Sequence, residues 1–115
     1  MSLDFFYLGV VFIIAHQLDA MRCKEWQMIP ILSSFSDQTA RAFYVLMHIP
    51  LLYILLLEGL KLENESFQKG LNYFLIIHLI IHNLLLKHPK NGFTDEISWF
   101  LISGAALCGF LDLFL

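Results

Sequence analysis

The sequence predicts an all-α fold, a bundle of four transmembrane helices with an interfacial segment between the first and the second. The chain of 115 residues is 58% hydrophobic, with a mean hydropathy of +0.69, well above that of a soluble globule. Its apolar residues fall into four stretches, about 3–20, 39–60, 67–87 and 96–115. Each is close to the ~20 residues that carry a helix across the hydrocarbon. These stretches also lack the polar outer face of a soluble bundle, as "LMHIPLLYILLLEGL" (46–60) shows. The length allows a single integral membrane domain, 1–115.

The first stretch resembles a signal peptide only in length. "MSLDFFYLGVVFII" has an acid and no base before its apolar run, and no small-x-small cleavage site follows, so a retained helix is expected. The segment "MRCKEWQMIPILSSFSDQ" (21–38) is too long for a turn and too apolar for a free loop. Ile29 to Phe35 is expected along the membrane surface. Asp37 is the expected cap of the second helix, and Pro50 is expected to bend it near His48. Ser66 begins the third. A turn at Asn91-Gly92 precedes the fourth, with Thr94 as cap and Asp95 and Glu96 in the first turn. Trp26 and Trp99 fit the interface, and Gly9, Gly104, Ala105, Cys108 and Gly109 mark faces where helices can approach closely.

Charge sets the expected orientation. Arg22, Lys24, Arg41, Lys87 and Lys90 fall on connections 1–2 and 3–4, whereas connection 2–3 carries Lys61 and Lys69 beside Glu58, Glu63 and Glu65. By the positive-inside rule both termini face outward. A net charge of −3 with no basic stripe argues against a nucleic-acid partner. Cys23 and Cys108 lie toward opposite surfaces and form no CxxC motif, so both are expected to be reduced. Asp4, Glu58 and Asp112 are expected to be solvated near the outer boundary.

Counted inward from Arg22, Arg41 and Lys87 at 1.5 Å per residue, Asp19 and His16 lie roughly 5 and 9 Å deep, His82 about 8, His48 about 10 and His78 about 13 Å. Ionisable side chains are costly in hydrocarbon and turn inward, where they meet one another. His16 and Asp19 are spaced i,i+3 and His78 and His82 i,i+4, so each pair projects from one helix face. Imidazole and carboxylate together suit zinc or non-haem iron. The expected ligands are therefore His16, Asp19, His48, His78 and His82, with Glu25 as a spare catalytic acid or base. For any one of these residues taken alone, interhelical hydrogen bonding, such as Asp19 with His82, is the competing explanation.

"HQLDAMRCKEWQMIP" (16–30), "HIP" (48–50) and the HxxxH of 78–82 resemble, in the same order, a group of small bacterial membrane proteins with His-x-Leu-Asp-Ala, Glu-Trp and His-x-Pro motifs. More distantly they resemble the HXXEE-motif membrane proteins. The likeness implies a small helical membrane domain, in a bacterial inner membrane, with His16, Asp19, Glu25, Trp26, His48, His78 and His82 as signature positions. Asp19-Ala20 stands where HXXEE has Glu-Glu, which removes one carboxylate from any dinuclear site.

Three functions follow as expectations. One is a membrane-embedded hydrolase or lipid-modifying enzyme using a divalent metal, zinc or iron, to activate water or oxygen. Another is electron transfer through b-type haem held by two histidines. The third is a non-enzymatic subunit or scaffold that forms a homo-oligomer or joins a membrane partner. In each case the lipid bilayer is the surrounding partner.

Overall fold

The four helices form where the four apolar stretches were read. In this computed structural model, which describes residues 2–59 and 64–115 with side chains from Phe5 onward, they are α1 (Ser2–Arg22), α2 (Asp37–Gly59), α3 (Glu65–Leu84) and α4 (Glu96–Phe114). Two 3-10 turns, Glu25–Met28 and Leu32–Ser34, join α1 to α2, and no strand occurs among the described residues. The expectations for Asp4, Lys61 and Glu63 lie outside the described side chains.

Helices α1, α2 and α4 are each long and apolar enough to cross a membrane. Helix α3 carries more polar residues, and it turns them inward. Gln68, Asn72, Leu75, His78 and His82 are buried at helical spacing, while Tyr73, Phe74, Ile77, Ile80, Ile81 and Leu84 face outward. A helix with its polar face inside and its apolar face outside is the arrangement that hydrocarbon surroundings favour. Helix α3 ends at Leu84 rather than 87, and the chain turns through 85–87 before Pro89, which bars helical geometry at His88.

The caps sit one or two residues from their expected positions. Ser36, not Asp37, accepts the Thr39 N–H ahead of α2. Asn64, not Ser66, caps α3 through the Phe67 N–H at 3.1 Å, and Asp95, not Thr94, caps α4 through Ser98 N–H at 3.0 Å. Asp37 is instead the acceptor for Trp26 Nε1 and Gln27 Nε2 at 2.8 and 2.9 Å. Trp26 is accordingly buried and pins the connection, whereas Trp99 is half-buried and donates to the Phe93 carbonyl. Within the connection, Ile29 and Leu32 pack on the Trp26 core and Ile31 and Phe35 face outward. Helix α2 continues through Pro50.

Small residues set the close contacts. A Cβ on Gly9 would lie 3.0 Å from Leu75 Cδ1 and 3.3 Å from Cys108 Cβ, so α1, α3 and α4 converge at this point. Gly109 packs against the Asn72 carbonyl, with Ala105 and Cys108 buried beside it. Both cysteines are free. Asp112 accepts from the buried Asn72 Nδ2, and Glu58 accepts from Asn64 Nδ2, so each has a protein donor where solvation was expected. Against the tight α1–α3–α4 packing, α2 stands apart, with only Ala40, Tyr44 and Gly59 buried along its length.

Candidate metal centre

The site begins with the chain reversal after α1. Lys24 adopts a left-handed backbone (φ 54, ψ 51), unusual for a residue with a Cβ. The turn Glu25–Met28 therefore folds back under the bundle and brings Glu25 to the level of His16, more than two helical turns earlier. His16 faces inward from α1, on the face that also buries Phe6, Gly9, Ile13 and Ala20. His78 and His82 face inward from α3, one turn apart.

These four side chains meet. His16, Glu25, His78 and His82 each offer a ligand atom, and all four atoms lie within 4.8 Å of one another. Glu25 Oε2 is 3.6 Å from both His16 Nε2 and His82 Nε2, and His78 Nε2 is 3.2 Å from His82 Nε2. Bonds of ~2.0–2.1 Å in a tetrahedron place ligand atoms ~3.3–3.4 Å apart. The 3.2 and 3.6 Å pairs are near that spacing, and the wider ones, up to 4.8 Å, would close as the side chains drew in on a first-row divalent ion. Both nitrogens of His16, and Nδ1 of His78 and of His82, are buried without a hydrogen-bond partner among the described residues. Buried imidazole nitrogens left unpaired are costly, and donation to a cation is one use for the lone pair of His16 Nε2, the unpaired nitrogen that faces Glu25.

The surroundings fix the rings. Phe93, fully buried, packs 5.3 Å from His16 and 4.7 Å from His82, and Phe74 packs 5.5 Å from His78. Tyr44 of α2 donates to Glu25 Oε1 at 2.7 Å, which leaves Oε2 aimed at the histidines. Burial pushes the Glu25 carboxyl upward, but the approach of His16 and His82 and the Tyr44 hydrogen bond outweigh it and hold the group well below the usual carboxylate range. A cavity of about 150 Å³ opens on the cluster between Glu25, His78, His82, Met28 and Ile29.

The structure places the two other expected ligands elsewhere. Asp19 turns toward the start of α4, where it pairs with Arg22 at 2.8 Å and accepts from Ser98 Oγ at 2.5 Å. Arg22 continues to Asp95 at 3.0 Å, so this network ties the end of α1 to the start of α4. His48 sits on the outlying α2, with Nδ1 2.6 Å from the Tyr44 carbonyl and Nε2 2.9 Å from Gln17 Oε1. Tyr44, Phe93 and Gln17 did not stand out in the sequence. Tyr44 lies four residues before His48, which was a usable hint; nothing in the sequence marks Phe93.

The model of a family of unknown function, DUF6713, matches residues 3–115. The chain belongs to that family. No curated protein and no solved structure matches it. In this DUF6713 chain, the matched span includes all four residues of the cluster.

Proposed function

We propose that this protein is a membrane-embedded metalloprotein in which His16, His78, His82 and Glu25 hold a divalent ion, zinc or iron, and that it acts as a hydrolase. The observation that carries this is the convergence of four ligand atoms within 4.8 Å, drawn from two helices and the turn after α1. A zinc-class ion held by these four residues would supply the Lewis acidity that makes water ionisable near neutral pH. Glu25, held through Oε1 by Tyr44, is the carboxylate that would be placed to take up a proton at Oε2. The cavity beside Glu25 and His82 supplies the approach.

Haem is a poorer fit. The cavity at the histidines, about 150 Å³, is well below the ~300–1,000 Å³ usual for bound organic ligands. The basic residues Arg22, Lys24, Arg41, Lys87 and Lys90 support an orientation with both termini outside. The motif resemblance supports a bacterial inner membrane.

Metal analysis of detergent-purified protein beside a His78→Ala/His82→Ala variant tests the reading. Near-stoichiometric zinc or iron in the parent, lost in the variant with helicity retained, is the expected result. A well-folded parent without metal after metal-replete growth would overturn it and leave the histidines as interhelical contacts.

A further inference from the structure

Three cavities adjoin along the seam between α1 and α2. The first, about 450 Å³, lies between Met21 and the α2 residues Gln38, Arg41 and Val45. The second, about 220 Å³, shares Met21 and Val45 with it and adds Gln17, Leu18 and His48. The third, about 230 Å³, shares Ile14, Gln17 and Leu52 with the second and is otherwise lined by aliphatic and phenylalanine side chains as far as Leu55, Phe67 and Phe74. The run is thus graded: a cation at one end, a polar pair in the middle, and hydrocarbon beyond.

We infer that this cleft binds an anionic membrane lipid, with the headgroup on Arg41, the ester region beside Gln17 and His48, and one acyl chain along Leu52 toward Phe67. Charge and length both select this occupant. Asp37, the acid one turn before Arg41, accepts from Trp26 and Gln27 and acts on Arg41 only through space, and Arg41 makes no salt bridge among the described residues. Its guanidinium is therefore available to an anionic headgroup. From Arg41 to Leu55 the helix rises ~21 Å, which matches half of a ~40–45 Å bilayer including headgroups, the length of one lipid. His48 lies ~10 Å deeper than Arg41, at the upper end of the hydrocarbon. A second copy of the chain would need no cation at one end of the seam.

The cleft also communicates with the cluster. Gln17 Oε1 is 3.1 Å from the oxygen of the Tyr44 hydroxyl, whose one proton goes to Glu25, so the lipid's ester region would sit two short contacts from a candidate metal ligand. Occupancy of the cleft stands without the metal reading.

Native mass spectrometry of the metal-chelated full chain with phosphatidylglycerol or phosphatidylcholine of equal acyl length tests it. Phosphatidylglycerol should be retained about five-fold better, the effect of one basic residue near a surface. Arg41→Gln should erase that preference and leave the metal content of unchelated protein unchanged. Leu18→Trp, at a cleft-lining position 73% exposed and so tolerant of bulk, should lower retention of both lipids. Equal retention of the two lipids by the parent, or parent-like retention by Leu18→Trp, would reduce the lipid to a nonspecific annulus and overturn the inference. A dimer that Leu18→Trp disperses would overturn it in favour of a second copy. Lipid selectivity in a protein that never takes up metal would sink the metal reading and leave this one standing.

Discussion

The Tyr44 hydroxyl and the Glu25 carboxylate lie 2.7 Å apart, and this bond is what links α2 to the histidine cluster. It occupies Oε1 and leaves Oε2 to face His16 and His82. Removing the hydroxyl with Tyr44→Phe should free the carboxylate to rotate. The fold should survive, since the ring still packs on Trp26. Metal affinity should fall ~10–100-fold, the usual effect of losing a partner that orients a ligand. Chelator competition measures it; unchanged affinity would show that Tyr44 does not position Glu25.

Asp19→Asn and His48→Ala separate the observed cluster from the ligand set expected from sequence. Neither side chain belongs to the four-residue group, so both variants should keep the parent metal content. Asp19→Asn should instead weaken the α1–α4 junction by ~1–3 kcal/mol through its bond to the buried Ser98 hydroxyl. Thermal unfolding followed by helicity reads this. Loss of metal in either variant would return Asp19 or His48 to the ligand set.

The pH dependence of the metal-free protein should carry the signature of Glu25. Its carboxyl is held below the ordinary value of 4.5 in the folded state, so the unfolded chain takes up its proton first as pH falls. The stabilisation is complete above about pH 4.5 and fades as pH drops toward the folded value. Glu25→Gln should flatten that acid limb. Superimposable acid unfolding curves for the parent and Glu25→Gln would refute the contribution.

Two glycines should respond oppositely to alanine. A Cβ at Gly109 would stand 2.8 Å from the Asn72 carbonyl oxygen, a backbone atom that moves only with its helix. Gly109→Ala should cost ~1–3 kcal/mol as α3 and α4 are forced apart. Gly70 has nothing within 4 Å of such an atom, and Gly70→Ala should gain ~0.5–1 kcal/mol from helix propensity. Unfolding midpoints in one detergent decide both, and an equal response would contradict the packing described.

Sequence by itself determined the helices and the inward faces of two of them. Hydrophobic run length fixes where α1, α2 and α4 lie, and i,i+4 spacing puts His78 beside His82 whatever the tertiary arrangement. Depth counting also brought His16 to their level. Those features are local, governed by helical rise and by the cost of polar groups in hydrocarbon. The ligand set was not local. Asp19 and His48 sit at suitable depths, but depth does not specify azimuth or how far a helix stands from its neighbours. Ser98 and Arg22 draw Asp19 aside, and α2 stands off the bundle with His48 on it. Glu25 entered the cluster only because Lys24 takes a left-handed turn and Tyr44 reaches across from α2. Such a reversal is set by packing of the whole connection under Trp26, which spacing along one helix does not encode.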